Sequence, residues 1–219
     1  MFDSQIIRML LEGIRDTVYM TLGSTLLGYV LGLPMGIVLT VTDKDGIRPN
    51  KVVYRMFDFI SNVVRSVPFL ILLILMIPVT RFLVGKSYGV SATIVPLVVT
   101  AAPYIARMVE SSLKEVDKGV IEAAKSMGAS DFDLVVKVLL VEARTSLVMG
   151  ATIATGTILG YSAMAGTVGG GGLGDIAVRY GYYRWQTDIM LVTVALIIIL
   201  FQIFQNVGMK TAVRLDHRK

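Results

Sequence analysis

The sequence has no cysteine, which removes disulfide frameworks, thiolate nucleophiles and cysteine-ligated zinc or iron–sulfur centres together. Its single histidine, His217, can build no histidine cluster, so no metal site is expected. Charge is scarce as well: 17% of the 219 residues are Asp, Glu, Lys or Arg, against about a quarter in soluble domains. Apolar residues fill the gap, at 54% of the chain with a mean hydropathy of +0.71. A net charge of +5 would suit a nucleic-acid partner if the cations gathered on one face. They lie instead between long apolar runs, where they read as membrane topology signals, and no nucleic acid is expected.

A bilayer core roughly 30 Å thick needs about 20 apolar residues of helix. Five stretches qualify, at about 17–42, 59–80, 87–107, 145–168 and 189–209. A soluble helix would carry charges every third or fourth position on its outer face, and these stretches do not. The predicted fold is an all-α membrane protein, a single domain over 1–219 with five transmembrane helices and membrane lipid around it. The first stretch is too long for the apolar core of a signal peptide and follows Glu12 and Asp16, so a retained helix is expected. Alternate connecting segments hold 14 and 6 of the 21 basic residues, the richer side carrying Lys44 to Arg55, Arg107 to Arg144 and Lys210 to Lys219. The positive-inside rule then puts the N-terminus outside and the C-terminus in the cytoplasm. The segment at about 110–144 becomes the longest cytoplasmic connection.

Arg65 interrupts the second span. A charge at the bilayer centre would cost at least ~2.5 kcal/mol, so the side chain is expected near the cytoplasmic end, snorkelling to water. No other span carries an ionisable side chain in its interior, which removes the proton relay of many secondary carriers. Pro34, Pro78, Pro96 and Pro103 lie within spans and Pro68 near the start of one, each removing a backbone donor and favouring a kink. Gly28, Gly32 and Gly36 recur at four-residue spacing, as do Gly156 and Gly160, so each set shares a helix face where another backbone can approach closely. The fourth span is built mostly of Gly, Ala, Ser and Thr; it is either the buried centre of the bundle or a pathway or subunit-interface helix. Tyr161, Ser162 and Met164 are its candidate pathway or gate residues, because they project polar or polarizable groups from a small-residue helix.

Residues 110–144 are too many for a turn. Ser130 with Asp133 three residues later is a capping-box pattern, with Phe132, Val135, Val136 and Leu139 following on one predicted face. Val120 to Met127 forms a shorter amphipathic segment ending at Gly128, a residue suited to a helix terminus. Helix, glycine turn and helix together suggest a docking surface for another protein.

Those residues resemble a known family. Glu122-Ala123-Ala124, then Gly128, then Val138 and Leu140 is similar to the EAA loop of ABC importer permeases, with Val141 where the family usually has proline. The run from Tyr161 to Gly174, the Tyr180-Gly181-Tyr182 triplet, Arg65 to Phe69 and Ala101 to Glu110 look like corresponding parts of methionine-importer permeases. The resemblance implies a permease subunit of the bacterial cell membrane that moves methionine or a related amino acid. It implies pairing with a second copy as a homodimer, two cytoplasmic ATP-binding cassette subunits docked on the EAA loops, and an extracytoplasmic substrate-binding protein. In that scheme Glu122, Ala123, Ala124, Gly128, Val138 and Leu140 couple to the ATPase, while ATP and Mg bind the partners and this chain binds no cofactor.

Two apparent nucleotide motifs fail on context. Gly169, Gly171 and Gly174 fit the dinucleotide spacing but follow a membrane span and not a β-strand. Gly85-Lys86-Ser87 resembles the end of a phosphate-binding loop, yet Thr80 stands where the earlier glycine belongs. No catalytic residues and no ATPase activity of this chain are expected. The alternatives are a permease for another small amino acid or polar solute, or an autonomous secondary carrier.

Overall fold

The computed structural model describes residues 3–215; His217 and the terminal cations Arg218 and Lys219 lie outside the described residues. Every regular element among the described residues is helical. Large apolar side chains such as Leu26, Val30, Leu191, Ile198 and Val207 stand exposed along the longest helices, the reverse of a soluble bundle and the signature of an all-α membrane protein.

Helix α1 (Ser4–Thr42) is 39 residues long, roughly 58 Å at 1.5 Å per residue. It begins well before residue 17 because Ile6, Met9, Leu10 and Ile14 gain a packing site against Leu173, Ile176 and Ile189. The second stretch departs from a single straight span. It consists of α2 (Lys51–Ser66) and α3 (Phe69–Leu75), bent by 101° to one another, followed by α4 (Ile77–Val84). Pro68 causes the break: it lacks an N–H, and its ring drives Val67 out of the helical region to φ −83°, ψ 125°. Pro78 stands in the first turn of α4, where a missing N–H costs nothing. Pro34 lies within α1, and Pro96 and Pro103 lie within α5 (Val90–Lys114), without ending either helix. Among the described residues, four helices are long and apolar enough to cross a bilayer, or five if the bent pair is one span.

The core forms where α1 lies along α5. A Cβ on Gly32 would stand 2.6 Å from the Ala102 carbonyl oxygen, and one on Gly36 would stand 2.6 Å from that of Ala106. A Cβ on Gly28 would be 2.9 Å from the Ala101 Cβ. The three glycines let the two backbones touch, and Met20, Leu97, Ile105 and Val109 fill the seam. After α5 come α6 (Lys118–Ser126), α7 (Asp131–Asp133), a π-helical stretch (Leu134–Leu139) and α8 (Leu140–Glu142), leading into α9 (Arg144–Ala165). Helix α10 (Gly172–Ile176) and a second π stretch (Ala177–Tyr182) lead to α11 (Thr187–Leu215), which packs along α9. There Gly156 meets the Phe201 ring, its Cβ position 2.7 Å from Cε2, whereas Gly160 faces open space with no heavy atom within 4 Å. The two therefore form no single seam within one chain.

The ends of the bundle differ. At one end the glycine run folds tightly: the Gly89 N–H donates to the Gly169 carbonyl (2.9 Å) and the Leu173 N–H to Thr17 Oγ1 (2.8 Å). Gly166 and Gly174 let α9 and α10 meet backbone to backbone, so the run is a close-packed turn. The other end gathers the basic connections 43–50 and 115–143.

Candidate functional site

The basic end carries a rigid projection. Asp117 caps α6 by accepting from the Gly119 N–H at 2.7 Å. At the far end of α6, the Ala129 N–H donates to the Ala124 carbonyl (3.1 Å) and the Gly128 N–H to that of Lys125 (2.9 Å). This paired closure requires a left-handed residue, and Gly128 supplies φ +84°. No atom lies within 4 Å of its Cβ position, so conformation and not space fixes glycine there. Of the predicted coupling residues, Glu122, Ala123 and Gly128 are exposed, Ala124 is buried, and Val138 and Leu140 are half-buried. Val120, Met127 and Phe132 add exposed apolar surface beside them.

Ser130 starts the next element as its N-cap, accepting from the Asp133 N–H at 3.2 Å. Asp133 returns the contact to the Ser130 hydroxyl (2.5 Å) and pairs with Lys137 (2.6 Å); the Lys137 hydrogen bond and then the Ser130 one hold its carboxyl below the usual carboxylate range. The expected apolar face holds in part: Leu139 is buried and Val135 is half-buried against the core. Phe132 and Val136 are exposed and Leu134 is buried instead, because the π-helical turn brings residues five apart to one side.

Behind this projection lies a charge cluster joining three helices. Glu110, 5% exposed, accepts from Arg107 (2.7 Å), Lys114 (2.7 Å) and the Tyr54 hydroxyl (3.3 Å). Arg107 also bonds Asp58 and Asn62 of α2, and Lys114 reaches Asp43, just past α1, at 2.6 Å. That Lys114 hydrogen bond holds the Asp43 carboxyl below its ordinary range. A cleft of about 340 Å³ opens between the cluster and α6, with Asp45, Lys118, Glu122 and Lys125 among its lining. Sequence reasoning missed this assembly; its one local signal is the Arg107, Glu110, Lys114 spacing, which puts alternating charges on one face of α5.

The predicted pathway residues divide. Tyr161 stacks on Phe69 of α3, ring centroids 4.8 Å apart and planes 16° apart, and Met164 is 49% exposed. Ser162 is buried, and its hydroxyl donates to the Leu159 carbonyl of its own helix at 2.8 Å. Met164 extends an open face of α9 made by Ile153, Thr157 and Gly160.

Residues 28–209 match the family of binding-protein-dependent transport system inner membrane components. The chain is 46% identical over 210 residues to the probable D-methionine transport system permease protein MetI of Vibrio cholerae serotype O1, covering 96% of this chain and 93% of that protein. It is 51% identical over 158 residues to the D-methionine transport system permease protein MetI of Escherichia coli K12, covering 72% of this chain and 73% of that one. A chain from the inward-facing MetNI methionine ABC transporter superposes with a TM-score of 0.97 at 44% identity, covering 99% of this chain and 100% of that one.

Proposed function

The chain belongs to the family of binding-protein-dependent transport system inner membrane components, and from that premise we propose that it is the membrane-spanning subunit of a methionine ABC importer in the bacterial cell membrane. The observation that carries this reading is the projection of α6. A helix too short and too polar to cross the bilayer presents Glu122 and Ala123 to solvent and is locked by the Gly128 closure onto the buried Leu134 and Leu139. Such a surface fits a cytoplasmic ATPase subunit that takes the exposed carboxylate and lies close over the small alanine.

In this reading the five spans count the bent α2–α3 pair as one, the N-terminus is outside and the basic end faces the cytoplasm. The chain is one permease domain, ATP and Mg bind the partner subunits, and an external binding protein delivers substrate. The open α9 face of Ile153, Thr157, Gly160 and Met164 suits a second copy across the pathway, with Tyr161 and Met164 beside it. The Arg107, Glu110 and Lys114 cluster ties α1, α2 and α5 together, so that displacement of α6 moves the spans as a body. Glu122, Ala123, Ala124, Gly128, Val138 and Leu140 form the coupling element.

The test is Gly128→Val in the assembled transporter. A β-branched residue in the left-handed region costs roughly 1–2 kcal/mol or more, enough to open the closure. Expected are unchanged membrane insertion and a loss of methionine uptake of about tenfold or more. Uptake equal to that of the unsubstituted complex would remove α6 from the coupling path.

A further inference from the structure

The first turns of α2 sit where α5 leaves the bilayer. Helix α5 carries no charge from Val90 to Ala106, and then Arg107, Glu110 and Lys114 in its last turns. A charge inside the hydrocarbon is costly, so the apolar layer ends near Arg107. The Tyr54 hydroxyl donates to Glu110 and Arg107 donates to Asp58, which sets the opening turns of α2 at that level. Asp43, just before the connection to α2, is held to Lys114 at the same end.

Tyr54, Phe57 and Ser61 turn toward the bundle. The opposite side is built differently. Lys51, Arg55, Phe59 and Val63 follow one another at four-residue spacing and all are exposed, so a single row passes from two cations to two apolar side chains. Val52, Met56 and Ile60 form a second exposed row beside it. Val52 is 79% exposed and Phe59 68%, too open to belong to a core. Lys51 and Arg55 are like charges one turn apart, an arrangement that destabilises a helix by itself. The single acid of α2, Asp58, is taken by Arg107. Neither cation makes a salt bridge among the described residues.

An anion between Lys51 and Arg55 would relieve their repulsion, and a guanidinium meets a phosphate with two parallel hydrogen bonds. That anion must also bring an apolar body, because the row continues into Phe59 and Val63. An anionic phospholipid supplies both, and a helix face that sets cations beside apolar side chains settles at the boundary of headgroup and acyl chain. A second copy of this chain would instead set the same cations against one another. We propose that Lys51 and Arg55 hold the phosphate of an anionic phospholipid whose acyl chains lie along Phe59 and Val63. This goes beyond the importer reading: it requires only that the chain spans the membrane, and it assigns a lipid partner to a helix outside the coupling element.

The experiment uses the complete complex of permease, ATPase and binding protein in liposomes, with cysteine-free partners. Because the chain has no cysteine, Met56→Cys on the neighbouring row provides a single site for a fluorophore. Tail-brominated phosphatidylglycerol is expected to quench this probe at a lower share of the bilayer than tail-brominated phosphatidylcholine, by about fivefold for each cation. Lys51→Gln together with Arg55→Gln removes the preference while both lipids still quench, and Arg55→Lys, keeping the charge, retains most of it. Glycerol phosphate added in solution leaves the quenching unchanged. Equal quenching by the two lipids, a preference that survives the double substitution, or relief of quenching by glycerol phosphate overturns the inference. So does an absence of quenching by either lipid, which would mean that a protein partner covers the strip. Methionine uptake is followed in the same liposomes, and its failure would count against the importer reading alone.

Discussion

Glu110 is the residue on which the charge cluster turns, since it accepts from two cations and a phenol while almost fully buried. Asp43 is the peripheral member, held to the same Lys114, and its depressed pKa gives a test. A carboxyl whose folded value lies below its unfolded value, about 3.9, stabilises fully above that value and loses the contribution as pH falls through the folded one. With Lys114 40% exposed, solvent screening limits the pair to about 1 kcal/mol. Asp43→Asn should therefore lower the melting temperature of the purified protein by a few degrees. That difference should hold from pH 8 to 5 and shrink below about pH 4. A difference that grows on acidification would contradict the assignment. Single residues also mark where the sequence was silent. Arg107, Glu110 and Lys114 have readable spacing, but Asp43 and Asp58 reach them through tertiary packing that no local pattern encodes. Ser162 reads as a polar gate residue because composition does not reveal that its hydroxyl serves the Leu159 carbonyl.

At the scale of elements, legibility followed the range of the interaction. The cap at Ser130 and the turn at Gly128 are local, and both stand where the sequence put them. The second span was misjudged because hydropathy sums composition and ignores direction: 59–80 is apolar on both sides of Pro68, yet the chain turns sharply there. The buried face of 131–142 was right at Leu139 and Val135 but wrong at Phe132 and Val136, because a 3.6-residue period was applied where a π turn pairs Leu134 with Leu139. The α1–α5 seam has the sharpest consequence. A leucine at Gly32 would drive a Cβ onto the Ala102 carbonyl and force the helices apart, an overpacking cost of about 1–3 kcal/mol or more. Gly32→Leu should reduce the monodisperse fraction in size-exclusion chromatography severalfold, while Gly23→Ala, whose Cβ would meet nothing nearer than Ile94 at 3.6 Å, should leave it unchanged. Normal behaviour of Gly32→Leu would show that the two backbones do not meet there.

At the scale of the whole molecule, the chain has the parts expected of an inner membrane component of a transport system. Its long helices show apolar side chains to the bilayer, its glycine end is closed by tight turns, and its basic end holds α6 outward on a braced charge cluster. ATP-dependent methionine uptake into proteoliposomes should appear only when this chain is reconstituted with its ATPase and binding-protein partners. The most direct measurement is that uptake, compared with liposomes holding the chain alone. Accumulation that requires ATP and every partner is the expected result, and accumulation by the isolated chain would contradict the account.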